Sequence, residues 1–574
     1  MKKKIFVAFL TLCIVFSMIL TGCGLSTSQN TDEKNTETTA KSGDDTSTVE
    51  DPIVIEDPVT DETITATETT EEFSITTSDG AYTEADGVYT ITAAGTYTLS
   101  GALYGQILVN APSDAAVEIE LKGVTITYDK DSPIKVLCAD EVEISAKKGT
   151  ENVIKDLRSV KTEDSDDQGA GAISVKKADL TLKGKGTLVV IGNYNNGVHT
   201  TKDLTIKNLS LKVTAYNNAI KGKNSVTIEG ATVVAISTNG DGIETENTDS
   251  AKDGTTKGDI TLTGGAVVTV YAAGDGFQAA HNFSMYADED GNAATVTVYT
   301  GSYSGYTASS ATTDSYKGIK VENELNISAG IVALHTYDDG LHANYGTEFE
   351  DGTKGVGNIN ISGGTVQCTV YSPTTKTSMG GKFGPRGWGG QQEVKGADAI
   401  HADNTLTISG GNINIDSSYE GLEATHIVIS GGMIYVAAND DGVNAAKKIN
   451  ETPSIEITGG YLDVTVPSNG DTDGIDSNGT YTQSGGVVIA RGPGMSMSAA
   501  LDTDGKASIT GGTIIVLGAL GERGLTRGSG VTSYNLSLNS KGTYTVKIDG
   551  VEYTFTNNYA YSKTICYSSV TVTK

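Results

Sequence analysis

A short pattern that returns at intervals of about 22 residues constrains this chain more than any other feature. Each copy carries an acid or amide, then Gly or Ala, an aliphatic residue, a polar residue and a small one, and an alternating stretch then closes on Gly-Gly. Eleven copies align. They start at Asn196-Gly197-Val198-His199 and Asn218-Ala219-Ile220-Lys221 and continue through Asp241-Gly242-Ile243-Glu244, Asp275-Gly276-Phe277-Gln278, Lys317-Gly318-Ile319-Lys320 and Asp339-Gly340-Leu341-His342. Asp398-Ala399-Ile400-His401, Glu420-Gly421-Leu422-Glu423, Asp441-Gly442-Val443-Asn444, Asp473-Gly474-Ile475-Asp476 and Ala499-Ala500-Leu501-Asp502 complete the series. Gly197, Ala219 and Gly242 follow one another at nearly constant spacing, and so do Ala399, Gly421 and Gly442. A period this short, made of strand-like segments and glycine turns, predicts an all-β right-handed parallel β-helix with about three short strands per coil. Leucine-rich repeats have a similar period, but their Leu-x-x-Leu-x-Leu signature is missing. The much longer interval from Gly340 to Ala399 marks inserted loops or less regular coils.

Side-chain direction follows from the period of two along a strand. The aliphatic position is apolar in all eleven copies and is expected to face the core, and the next residue is polar in all eleven and is expected to face water. Simple alternation would bury the acid two positions before the aliphatic, at high cost. The intervening Gly is therefore expected to bend the chain and turn the acid outward at a corner. Stacked copies stand about 4.8 Å apart. Asp398, Glu420, Asp441 and Asp473 would then form one column of like charges, repelling by roughly 1 kcal/mol per pair in water and several times more near a low-dielectric surface. Lys317 and Lys320 offer compensation beside Asp275 and Asp339. Lower in the column the motif supplies no cation, and Ca²⁺, which binds carboxylate and carbonyl oxygens, is the natural counterion. The competing reading is that Asp-Gly merely makes good solvated bends.

Lys2, Lys3 and Lys4 precede an apolar run from Ile5 to Leu20 that ends in Leu20-Thr21-Gly22-Cys23. Residues 1–22 thus read as a lipoprotein signal peptide with Cys23 as the lipidated residue, giving an extracellular, cell-surface protein attached to the membrane by a lipid anchor only. Residues 23–72 are rich in Thr, Ser, Asp and Glu and read as a disordered linker. The solenoid is expected over 73–533 and a C-terminal β cap over 534–574. Cys138, Cys368 and Cys566 have no C-x-x-C spacing and read as small core residues. With 41 Lys+Arg against 71 Asp+Glu, the net charge of −30 excludes nucleic acid as a partner.

Three further stretches occur in order with the Asp-Asp-Gly repeats: Ala93-Ala94-Gly95-Thr96-Tyr97-Thr98-Leu99-Ser100-Gly101, Gly149-Thr150-Glu151-Asn152 and Asn193-Tyr194-Asn195-Asn196-Gly197. Together, from about residue 75 to the C-terminus, the chain resembles the bacterial carbohydrate-binding β-helix family with a polysaccharide-lyase-like, calcium-binding fold. The resemblance implies bound Ca²⁺ and affinity for plant cell-wall or acidic polysaccharides without catalysis. It carries over as metal candidates Asp241, Asp275, Asp339, Asp441 and Asp473, with Glu423 and Asp476 in the following column; Lys317 and Ala499 depart from the pattern. Trp388, in a Gly-rich insertion, is the candidate sugar platform, and a monomer is expected. His199, His342 and His401 read as surface decoration. The alternatives are a pectate-type polysaccharide lyase, with Lys317 or Lys320 near the acids, and a structural adhesin.

Overall fold

A computed structural model of the protein describes residues 66–161, 169–301, 315–371, 396–470, 472–495 and 498–574. The residues read as signal peptide and as linker up to residue 65, including Cys23, and Trp388 lie outside the described residues. Those residues are all-β: fifty strands and no helix. Forty-five of the strands belong to one sheet whose pairings are mostly parallel.

The sequence period is visible as three files of strand pairing. Asn196–Thr200 pairs with Ile220–Gly222, Asp203–Lys207 with Ser225–Glu229, and Ser210–Ala215 with Thr232–Ser237, all in parallel. Each of these strands thus bonds to the strand three places further on. In the first file the aliphatic column runs in register from Val198 through Ile220, Ile243, Phe277, Ile319, Leu341, Ile400, Leu422 and Val443 to Ile475. Every one of these side chains is buried in the main core, as the alternation predicts. The second file adds Leu204, Val226, Ile260 and Phe283, and the third adds Val213, Ala235, Val270 and Val298. Three inward-facing columns therefore meet in a single core, and its apolar burial is the main stabilising term.

Aromatic contacts give the vertical spacing directly. Tyr271, Tyr299 and His335 are successive partners in the third file, with stacked ring centroids 5.0 and 4.7 Å apart. These values agree with the roughly 4.8 Å expected between hydrogen-bonded strands. The long interval between Gly340 and Ala399 is one repeat with insertions, because Leu341 pairs directly with Ile400. Part of the inserted chain is an antiparallel hairpin, Tyr345–Glu348 with Lys354–Val356.

At the amino end, Thr67 N donates to Glu151 Oε1 (2.9 Å) and Glu68 pairs with Lys155 (3.2 Å), so the chain is tied to the folded body ahead of residue 73. At the other end, Thr564–Ser568 lies antiparallel on Thr513–Leu517, and Gly542–Ile548 with Val551–Asn557 forms a separate small sheet. Cys368 and Cys566 are buried core residues, whereas Cys138 is half-exposed.

The glycines serve two different needs. The second Gly of the closing pair takes the left-handed conformation, as at Gly411 and Gly432, both with φ 85°. The Gly after the acid does not: Gly340 and Gly442 avoid positive φ, although each sits at a bend, as expected. It is small because there is no room. A Cβ on Gly442 would lie 2.1 Å from Val464 Cγ1 and 2.7 Å from the Gly474 carbonyl oxygen. Gly442→Ala should therefore destabilise the protein by about 1–3 kcal/mol through overpacking, measurable as a lower urea midpoint at unchanged slope. A neutral result would mean that the corner is looser than these distances imply.

Candidate functional site

The acids of the repeat form a file, as expected, but its middle members do not point into water, and Asp241, Asp441 and Asp473 are half-buried. Asp275 is 1% exposed, Asp339 5% and Asp398 6%, which corrects both the outward-facing expectation and the solvated-bend alternative. One oxygen of each accepts a hydrogen bond from the backbone amide at the next corner. Asp275 N donates to Asp241 Oδ1 (2.8 Å), Lys317 N to Asp275 Oδ1 (2.7 Å), Asp398 N to Asp339 Oδ1 (2.8 Å) and Glu420 N to Asp398 Oδ1 (3.2 Å). Below them, Asp473 N donates to Asp441 Oδ1 (2.7 Å) and Ala499 N to Asp473 Oδ1. Asn218 Oδ1 fills the same role above, accepting from Asp241 N (2.8 Å). An amide or an acid at this position therefore satisfies a backbone donor that would otherwise be buried unpaired.

Along this file opens a cleft of about 790 Å³ whose lining includes Lys317, Asp339, His342, Asp398, His401, Tyr419, Glu420, Glu423 and Lys448. Lys317 Nζ sits 2.8 Å from Asp338 Oδ2 and 3.2 Å from Asp339 Oδ2. His342 Nδ1 lies 2.7 Å from Asp339 Oδ2; His401 Nδ1 lies 3.0 Å from Asp398 Oδ2 and 2.7 Å from Glu423 Oε2. The two imidazoles stack at 4.6 Å, since His342 and His401 are register partners. Lys448 Nζ reaches Glu423 Oε1 at 2.5 Å. Burial would lower His401, but Asp398, Asp403 and Glu423 overcome it and raise it well above the usual imidazole value. Burial likewise opposes ionisation of Glu423, yet His401 and Lys448 hold it down at about 2. Asp398 is pushed up to about 7 by burial and by Asp339 and Glu423, against the pull of His401. Glu420 is likewise raised well above the usual range, by burial and by Asp398, Glu423 and Asp441.

Of the seven metal candidates read from sequence, Asp339 and Glu423 stand in this cleft. Asp241 and Asp275 adjoin each other above it, with Lys320 Nζ 3.9 Å from Asp275 Oδ2. Asp441, Asp473 and Asp476 gather below it. Burial and the carboxylates of Asp473, Asp440 and Asp476 raise Asp441 well above the usual range. Asp476 is pushed up to about 7 by burial, Asp502 and Asp504. The expectation that no cation serves the lower column is corrected at its upper half, where His401 and Lys448 do so. His342 and His401 are not decoration, and neither is His199, which burial and nearby lysines push down to about 4. Lys448 is a cleft residue that the sequence reading does not name, and Asp398 enters it only as a column acid, His342 and His401 only as surface decoration. The spacing Asp339-x-x-His342 and Asp398-x-x-His401 in consecutive copies was the available signal.

A family model described as carbohydrate-binding domain-containing protein matches residues 85–370, 347–442 and 386–563. A protein of Acetivibrio thermocellus with the same description is 38% identical over 126 residues, 22% of this chain and 44% of that relative, so the match spans less than half of the relative's length. A solved structure, the gadolinium derivative of the polysaccharide lyase-like protein from C. thermocellum, aligns at 30% identity and a TM-score of 0.38, covering 45% of this chain and 93% of that one.

The raised acids set a pH dependence with a definite sign. Asp241, Asp398 and Asp476, all at about 7 in the fold, ionise at about 3.9 when unfolded, so each costs stability as pH rises from about 4 to 7. Raised His401 contributes stability below about 6.5 that is lost as pH climbs through its folded value. His199 acts in the opposite sense between about 4 and 6.5, and Glu423, held at about 2, does so only below about 4.3. Without divalent ions the melting temperature should therefore fall from about pH 5.5 to pH 8; a calorimetric series in chelator that is flat or rising would contradict this assignment.

Proposed function

The chain belongs to the carbohydrate-binding domain-containing protein family, and from that premise we propose a non-catalytic module, anchored at the cell surface through Cys23, that holds acidic polysaccharide through Ca²⁺. The three files of parallel pairing support a right-handed parallel β-helix, and such a solenoid presents a long face matched to an extended polymer. The observation that carries the proposal is the run Asp441, Asp473 and Asp476. There carboxylates are pressed together by the repeat, and the strongest charges acting on Asp441 and Asp476 are other carboxylates. Such an all-oxygen donor set suits a hard cation, and an ion shared with a uronate would let an acidic glycan approach a chain of net charge −30. Asp241 and Asp275 offer a second pair of the same chemistry.

A lyase would need a Lys or Arg to remove the proton beside a uronate carboxylate. Within the cleft, burial is outweighed at Lys317 by Asp339 and Asp338, at Lys448 by Glu423 and at His401 by its three carboxylates, so all three groups are raised. Bases held protonated in this way favour binding over elimination.

Incubation of the mature protein with polygalacturonate in calcium or in chelator separates the readings. Calcium-dependent co-sedimentation with no rise in absorbance from unsaturated product is expected; a rise makes the protein a lyase, and no co-sedimentation favours the adhesin. Asp441→Asn with Asp476→Asn keeps the oxygen that caps Asp473 N but removes two charges. This double variant should bind less calcium and lose most of the calcium-induced rise in melting temperature. Unchanged metal content would remove this run from the ion site.

A further inference from the structure

The stacked imidazoles pose a proton-counting problem that the calcium reading does not solve. His342 Nε2 lies 2.8 Å from Asn344 Oδ1, and that amide is oriented by donating its own Nδ2 to Glu322 Oε1 (3.0 Å). His401 Nε2 lies 3.3 Å from Asp403 Oδ1. Both outer contacts are acceptors, so each ring carries a proton on Nε2, and a ring without a second proton turns its Nδ1 lone pair inward. Inward, Nδ1 meets carboxylate oxygens again: Asp339 Oδ2 for His342, and Asp398 Oδ2 and Glu423 Oε2 for His401. A lone pair facing a carboxylate is repelled unless something positive lies between them. Protons can serve, but two imidazolium rings would then stack at 4.6 Å beside the Lys317 ammonium. A single divalent ion supplies the same charge to both rings at once.

We propose that His342 and His401, with Asp339, Asp398 and Glu423, form a binding site for a divalent ion of the zinc, cobalt and nickel class. The ligand atoms of Asp339, His342 and His401 all lie within 4.8 Å of one another, and so do those of Asp398, His401 and Glu423. Nitrogen and oxygen ligands at about 2.0–2.1 Å from such an ion stand roughly 3 Å apart, close to the 2.7 to 3.0 Å Nδ1–oxygen separations here. Imidazole nitrogen suits these metals, whereas calcium takes oxygen. The outer contacts to Asn344 and Asp403 are the hydrogen bonds that orient ligating histidines. Asp398 and Glu423 are buried, and the cleft supplies the entry path. Lys317 shares Asp339 Oδ2 and competes with the ion for it. This site is separate from the Asp441, Asp473 and Asp476 run and does not depend on it.

The probe is Co²⁺, whose visible absorption reports nitrogen ligation, titrated into chelator-stripped mature protein in excess calcium. Uptake of one equivalent with a visible band, displaced by Zn²⁺, is expected. The His342→Phe/His401→Phe variant preserves the ring stack and should lose that uptake while retaining a cooperative melt and calcium binding. Asp403→Ala should weaken Co²⁺ affinity by about 10- to 100-fold. The Asp441→Asn/Asp476→Asn variant should take up Co²⁺ like the wild type. No uptake by the wild type, equal uptake by the double-Phe variant, or loss in the double-Asn variant would each overturn the assignment.

Discussion

Parallel strands stacked in register put each side chain above its own counterpart, and the rest of this molecule follows from that. For apolar residues the constraint is favourable: the column from Val198 to Ile475 is a continuous buried file. For an acid it is costly, since like charges recur at strand spacing in a partly desolvated corner. The chain offsets part of that cost with its own backbone. Asp241, Asp275, Asp339, Asp398, Asp441 and Asp473 each accept the amide of the next corner. The same acid is therefore both a structural cap and, at Asp241, Asp398 and Asp441, a group whose ionisation the stack disfavours.

The file is not uniform, and its irregularities locate the chemistry. Lys317 cannot accept an amide hydrogen, but its ammonium holds Asp338 and Asp339. At the cleft, two histidines and Lys448 join the acids. Below it, around Asp441 and Asp476, carboxylate acts on carboxylate. One surface thus carries imidazoles among carboxylates at the cleft and a run of carboxylates below it, and these ligand types favour different classes of cation.

The core was legible in the sequence because burial depends on a strand alternation that insertions cannot disturb: Leu341 still pairs with Ile400 across the longest interruption of the motif. The orientation of the acids was not legible. Alternation placed them inward, and the assumed cost of burial turned them outward again, because a backbone donor at the next corner has no sequence signature. The bend at the glycines was legible but the reason for glycine there was not: at Gly442 a neighbouring repeat's Val464 and Gly474, not the backbone angle, exclude a side chain. The cleft was half legible. Asp339 and Glu423 belong to the motif, but Lys448 and Asp403 lie outside it and meet the file only in three dimensions. Histidines in the polar column read as exposed until the depth of that column was known.

The central claim is that the repeat stores protonated carboxylates which a divalent cation discharges. Calorimetric titration of calcium into the metal-free protein near pH 6.5, repeated in buffers of different ionisation enthalpy, counts the protons released as the ion binds. The account predicts release of protons on binding, shrinking toward zero near pH 9. Calcium binding with no proton release at the lower pH would contradict it.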